Sequence, residues 1–152
     1  MEPRLNWMGK RHEGVEALRA VEAYLAKSGL SPRLLALVKM RASQINGCAF
    51  CLHMHSAEAR QAGESDGRLL LLDAWPESAL YTDKERAALA WTDSLTNVSE
   101  THAPDAVFDE VRRQFSEPEL IDLSIAIAMI NAWNRLAIGF RANHPSDVAK
   151  AA

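Results

Sequence analysis

The sequence predicts one all-helical domain of six or seven helices, spanning residues 1–152 with a core from about residue 15 to residue 142. Apolar residues recur at intervals of three and four along most of the chain, and no segment shows the strict alternation typical of a strand. Residues that start helices alternate with glycines and prolines that end them. With 152 residues, 48% of them hydrophobic, the chain is long enough to bury a core without disulfides or a structural metal.

The first three helices are defined by their spacing and by their ends. Residues 15–25 carry apolar side chains at helical spacing, and Gly29 stops that segment. The pair Ser31-Pro32 supplies an N-cap and a proline at the first helical position, which opens a second helix that ends near Gly47. A third helix is predicted over residues 48–62, before a terminating glycine.

Four further helices are predicted in the second half of the chain. Two of them begin at capping boxes, and prolines bound the others. Their predicted spans are 68–75, 83–96, 104–115 and 116–142, and residues 143–152 are expected to form a loose tail.

The last of these helices is apolar and approaches the length needed to cross a membrane. Polar residues interrupt it at Asp122, Asn131, Asn134 and Arg135, and a lipid-facing span would not tolerate all four. We therefore expect a buried or interface helix and no membrane partner.

Composition excludes several classes of function. With 17 basic and 20 acidic residues, the formal charge is -3, which gives no electrostatic footprint for nucleic acid. The N-terminal residues contain no apolar stretch of a secretory signal, so we expect a cytoplasmic protein. The chain has no glycine-rich nucleotide fingerprint, and no bound nicotinamide or flavin is expected.

The segment from Cys48 to His55 carries the chemistry. At about 100° per residue, Cys48, Cys51 and His55 fall within about 60° of one another on a helix, whereas His53 lies about 140° from Cys48. A structural zinc site needs four converging ligands. Only three side chains converge here, so the pattern favours a redox pair over a metal site, and no metal is expected.

A dithiol at the start of a helix has a physical rationale. Free backbone N–H groups and the positive end of the helix dipole stabilise a thiolate, and His55 lies one turn after Cys51, where its imidazole is placed to exchange a proton. The bland alternative is that both cysteines are small buried hydrophobes and His55 a surface residue. The preceding glycine and the histidine at the next turn favour redox chemistry.

Two tryptophans and three polar residues allow both structural and functional interpretations. Trp91 and Trp133 are candidates for lining a substrate pocket, but a core position is favoured for both, since aromatic residues on apolar helix faces usually belong to the core. Asn131, Asn134 and Arg135 need hydrogen-bond partners if they are buried. We rank contacts to a neighbouring subunit or to a loop first, ahead of a position beside the dithiol.

Several stretches of the chain resemble a known family. The string RASQINGCAFC with His55 after it resembles the alkylhydroperoxidase D-like branch of the carboxymuconolactone decarboxylase family. Similar stretches are residues 58–64, 85–92 and 130–135. The resemblance implies an all-helical fold that assembles as trimers or hexamers.

It also implies a peroxidase in which the dithiol cycles to a disulfide. In such enzymes the residue matching Cys51 attacks the hydroperoxide, the residue matching Cys48 resolves the sulfenic acid, and the residue matching His55 deprotonates the attacking thiol. Helix-dipole reasoning alone favours Cys48 as the more acidic thiol, and the resemblance favours Cys51 as the attacker. No bound cofactor is implied, and electrons come from a lipoyl-bearing protein or another thiol system.

Two positions depart from the family pattern. Ala36 stands twelve positions before the first cysteine, where members with established peroxidase activity usually carry a relay glutamate, and Phe50 stands where some carry a histidine. Glu58, three positions after His55, is a weak candidate for the missing carboxylate, and a solvated surface role is favoured for it.

Two alternatives to a peroxidase stay open. One is a non-enzymatic helical oligomer whose disulfide is structural or senses redox state, and Ala36 is consistent with it. The other, less favoured, is a lyase of the kind that gives the family its name. That enzyme acts on a lactone without a redox dithiol, so Cys48 and Cys51 count against it.

Overall fold

The computed structural model describes residues 2–143, and within that range it contains helices and no strand. The all-helical prediction is confirmed, while nearly all of the predicted tail lies outside the described residues. The helices are α1 (Glu13–Leu25), α2 (Pro32–Asn46), α3 (Ala49–Gln61), α4 (Asp66–Leu71), a 3-10 helix (Leu72–Glu77), α5 (Asp83–Thr96), α6 (Val98–Thr101), α7 (Asp105–Gln114) and α8 (Glu117–Phe140).

The structure differs from the predicted elements in two places. The predicted helix over residues 68–75 is instead α4 followed by the 3-10 helix, with a non-helical backbone at Ala74. Pro76 contributes to this break, because its nitrogen carries no hydrogen to donate to a carbonyl one turn earlier. The additional helix α6 is a single turn, too short to produce a readable periodicity, and His102 ends it in the left-handed region with φ of 53°.

The turn between α2 and α3 places the two cysteines. Gly47 ends α2 with φ of 67°, a left-handed conformation that glycine adopts without strain. Cys48 then caps α3, because its Sγ accepts a hydrogen bond of 3.3 Å from the backbone N–H of Cys51. Helix α3 therefore begins one residue later than predicted, and Cys48 lies at its N-cap.

Helices α2 and α8 form the centre of the fold. The main core lies between α1, α2, α5, α7 and α8 and includes the buried Val38, Ala88, Val111 and Leu123. A second cluster packs α2 against the 3-10 helix and α5. A third, smaller cluster holds both cysteines against α2 and α8.

Helix α8 is long and apolar enough to cross a membrane, by length and composition. Its polar residues have partners within the fold: Asp122 is buried and accepts a 2.7 Å hydrogen bond from the hydroxyl of Tyr24. Trp91 lies in the main core as predicted, with its indole N–H 2.9 Å from the hydroxyl of Ser124 on α8. The helix is thus a central packing element of this fold.

Candidate functional site

The two cysteines form a disulfide at the start of α3, with 5.3 Å between their Cα atoms. Cys48 is 1% exposed and Cys51 is 2% exposed, so the bond is covered by the protein. Ala42 of α2 and Ile130 and Ala137 of α8 pack around it. The alternative in which the cysteines serve only as separate small hydrophobes is therefore wrong.

His55 lies one helical turn after Cys51, and its side chain is only 5% exposed. The alternative that places His55 on the surface is therefore wrong. Its Nδ1 lies 2.7 Å from Oε2 of Glu58. An ionised carboxylate can only accept, so Nδ1 donates in this contact, and in the neutral form of the ring Nε2 then carries the free lone pair. Nε2 is buried and has no hydrogen-bond partner, which leaves it available to accept a proton.

Glu58 is more than the solvated surface residue that the sequence favours. Its side chain is 50% exposed, yet its carboxylate contacts His55 directly. That hydrogen bond lowers the pKa of Glu58, partial burial opposes the shift, and the positive charge of Lys39 lowers the pKa further. Glu58 is therefore held as a carboxylate against the histidine ring.

Three residues from other elements extend this polar group. Lys39 of α2 donates to Oε2 of Glu22 at 2.6 Å, and the indole N–H of Trp133 donates to Oε1 of the same glutamate at 2.9 Å. Sequence reasoning missed Glu22 and Lys39, because they are separated along the chain and each resembles an ordinary charged residue on a helix surface. Trp133 packs against the core, as predicted, and also lines a cavity, which was the alternative for it.

A cavity of about 300 Å³ lies beside the disulfide. Of the two cysteines only Cys51 lines it, together with His55 and Glu58. Its remaining lining residues are mostly apolar or aromatic and come from the N-terminal segment, α1, α2, α3 and α8: Trp7, Met8, Arg19, Glu22, Lys39, Phe50, Met54, Trp133 and Ala137. A small molecule in the cavity therefore meets Cys51 before Cys48.

A buried amide network fixes the end of α2 next to the cysteine turn. The Nδ2 of Asn46 donates to the side-chain oxygens of Asn131 and Asn134, both at 2.9 Å. Asn134 is fully buried and donates in turn to the hydroxyl of Ser43 at 3.1 Å. Within the chain, Asn131 and Asn134 thus bind the end of α2, where Asn46 stands two residues before Cys48. Arg135 likewise contacts the carbonyl of Asn131 at 2.8 Å.

The two positions that depart from the family pattern lie in different environments. Ala36 is buried in the second core cluster and does not line the cavity, whereas Phe50 does.

His53 lines a different surface depression, in agreement with its predicted separation from the cysteines. Within residues 2–143 no group of three or more histidine, cysteine, aspartate or glutamate side chains is arranged to hold a metal ion.

Comparison with known proteins agrees with this fold. The model of the carboxymuconolactone decarboxylase family matches residues 12–94, more than half of the chain. The uncharacterized protein YdfG of Bacillus subtilis (strain 168) is 36% identical over 138 residues, which is 91% of this chain and 94% of that protein.

Two solved structures extend the comparison. ATU0492 from Agrobacterium tumefaciens is 45% identical with a TM-score of 0.91, over 95% of this chain and 99% of that one. It is described as a protein of unknown function with a suggested identity as the antioxidant defence protein AhpD. A variant of the debrominase Bmp8, in complex with 2,3,4-tribromopyrrole, is 24% identical with a TM-score of 0.76, over 90% of this chain and 73% of that one, and shares the fold. The chain therefore belongs to the carboxymuconolactone decarboxylase family and has the AhpD-like fold.

Proposed function

We propose that this protein is a thiol peroxidase that reduces hydroperoxides through Cys51 and Cys48. The observation that carries the proposal is the Cys48–Cys51 disulfide beside a cavity that only Cys51 lines, with the unpartnered Nε2 of His55 in the same wall. The suggested AhpD identity of ATU0492 supports the same reaction class.

The reaction begins with the reduced pair. His55 accepts the thiol proton of Cys51 at Nε2, and the thiolate attacks the terminal oxygen of the hydroperoxide. The O–O bond breaks, Cys51 becomes a sulfenic acid, and the departing alkoxide takes a proton from His55 and leaves as an alcohol. Glu58 stabilises the protonated imidazole between these two transfers.

Cys48 then resolves the intermediate. Its thiol attacks the sulfenic sulfur, the disulfide forms and water leaves, so that one hydroperoxide and two thiols give one alcohol, one water and one disulfide. The pair is returned to the dithiol by an external dithiol, which we propose to be a lipoyl-bearing protein or another thiol system. We further propose that the enzyme is cytoplasmic and works as a homo-oligomer, a trimer or hexamer, without a bound cofactor.

Stopped-flow fluorescence tests this proposal. Trp7 and Trp133 line the same cavity as Cys51, so their emission is expected to report its oxidation. The reduced wild type should react with hydrogen peroxide or an organic hydroperoxide at least about 100-fold faster than free cysteine, the usual scale of assistance by a positioned base. Cys51→Ser should abolish the reaction. A wild type that reacts no faster than free cysteine, or an unaffected Cys51→Ser variant, would contradict the proposal and favour a structural disulfide.

A further inference from the structure

We propose that Trp7 determines which hydroperoxide this cavity accepts, and that the preferred substrate carries an aryl group. The inference rests on the proposed function, because it names the substrate class for the same site. Trp7 and Trp133 both lie outside residues 12–94, which are the part of the chain that the family model matches.

The walls of the cavity favour a substrate with an apolar body. Trp7, Met8, Phe50, Met54 and Trp133 contribute most of the apolar lining next to Cys51. Hydrogen peroxide has no apolar surface to bury, whereas the ring of an aryl hydroperoxide gains free energy by leaving water. A cavity of about 300 Å³ lies at the lower end of the range for small-molecule sites.

Trp7 is held so that it presents a flat aromatic surface. Its ring stacks on Trp133 with centroids 6.0 Å apart and an interplanar angle of 23°, and it also contacts Phe140 at 6.2 Å. The N-terminal segment is tied to the end of α8 by Arg4, whose backbone N–H donates to the carbonyl of Phe140 at 2.9 Å. The Arg4 side chain donates to the carbonyl of Gly139 at 3.1 Å. Ring stacking of this kind favours a further aromatic ring as ligand.

Two polar atoms on residues of this cavity would suit an occupant that also carries oxygen. Among the described residues three buried side-chain polar atoms lack a hydrogen-bond partner, and two of them belong to residues that line this cavity: Nε1 of Trp7 and Nε2 of His55. Buried donors without a partner are rare in folded proteins. An oxygen of a bound hydroperoxide would accept from the indole N–H of Trp7, while the neighbouring imidazole exchanges the proton.

The experiment compares two oxidants across four proteins. Second-order rate constants for oxidation of the reduced dithiol by cumene hydroperoxide and by hydrogen peroxide are measured for the wild type, Trp7→Ala, Trp7→Phe and Leu5→Ala. Leu5 is the matched control, because it is exposed, belongs to the same N-terminal segment and does not line this cavity. Circular dichroism confirms that each variant keeps the helical fold.

The readout is the ratio of the two rate constants. Trp7→Ala should lower the ratio of cumene hydroperoxide to hydrogen peroxide about tenfold, the scale expected when aromatic contacts are lost. Trp7→Phe, which keeps a ring but loses the N–H, should fall between, and Leu5→Ala should keep the wild-type ratio. A Trp7→Ala variant, or a Trp7→Phe variant if the former does not fold, that keeps the wild-type ratio overturns the inference.

A second measurement separates this inference from the proposed function. If no hydroperoxide oxidises the wild type, the proposed function has failed, and binding of cumyl alcohol is then measured by calorimetry. Weaker binding of this unreactive alcohol to the variant at Trp7 than to the wild type supports an aryl-selective cavity. Equal binding, or none to either protein, overturns it.

Discussion

The contact between His55 and Glu58 sets the proton chemistry available to Cys51. The carboxylate at 2.7 Å fixes the proton on Nδ1 and leaves Nε2 unpartnered in the buried wall of the cavity. In the proposed mechanism it also stabilises the positive charge that the ring acquires when it takes the thiol proton. There Glu58 is a positioning residue that acts through His55.

Replacing Glu58 by glutamine tests this role. We expect Glu58→Gln to slow thiol oxidation about tenfold and to alter the pH profile of the rate, because the amide has no charge to balance the imidazolium. Glu110→Gln is the matched control, since Glu110 is 47% exposed and pairs with Arg113, three residues away, while Glu58 is 50% exposed and pairs with His55 at the same separation. Equal rates and equal pH profiles for the two variants would contradict the assignment.

The lowered pKa of Glu58 predicts a pH-dependent contribution to stability. His55 and Lys39 favour the carboxylate in the folded protein, so the pKa lies below its usual value of 4.5. A lowered folded-state pKa gives stability that is present above the unfolded pKa and lost as pH falls through the folded one. The Tm difference between wild type and Glu58→Gln should therefore shrink as the pH falls from above 4.5 through the lowered folded-state pKa. A difference that stays constant or grows over this range would show that the contact does not stabilise the carboxylate.

The ends of the helices were the most predictable parts of the fold, because the interactions that form them are local. Ser31 caps α2 by accepting from Leu34, and the reciprocal hydrogen bonds of Thr82 and Glu85 open α5 as the sequence pattern indicates. The alignment of His55 with the cysteines followed from helical spacing in the same way. The contacts of Glu22, Lys39 and Trp7 could not be predicted, because packing between separate helices and an N-terminal segment without periodicity brings them to the cavity.

The turn between α2 and α3 is tested by substituting Gly47, with Gly139 in α8 as the comparison. Gly47 has φ of 67° and open space around it, so Gly47→Ala should destabilise the protein by about 1 kcal/mol through backbone strain alone. Gly139 lies within α8, also with open space around its Cα, and Gly139→Ala should be neutral or stabilising by up to about 1 kcal/mol. Urea unfolding measures both. A neutral Gly47→Ala would show that the turn tolerates a side chain and does not fix the cysteine geometry through its conformation.

At the scale of the whole molecule, we expect the disulfide to be dispensable for folding. The main core contains neither cysteine, and the disulfide joins residues only three positions apart. Closing so short a loop removes little entropy from the unfolded chain. The fold is therefore compatible with repeated opening and closing of the bond.

Reduction of the disulfide gives a direct check on that statement. We expect dithiothreitol to leave the far-ultraviolet circular dichroism unchanged and to lower the free energy of unfolding by roughly 2 kcal/mol. For a chain of this size the corresponding fall in Tm is about 4 to 8 °C. Loss of helical signal on reduction would instead indicate that the disulfide is a structural staple.

Chemical trapping of the oxidised thiol tests the central claim most directly. Cys48→Ser removes the resolving thiol, so a stoichiometric hydroperoxide should leave Cys51 as a sulfenic acid that dimedone converts to a stable adduct. Mass spectrometry of the digested protein should place the adduct on Cys51 in this variant, with little on Cys48 in Cys51→Ser. An adduct on Cys48 in Cys51→Ser, with none on Cys51 in Cys48→Ser, would contradict the assignment of Cys51 as the attacking thiol.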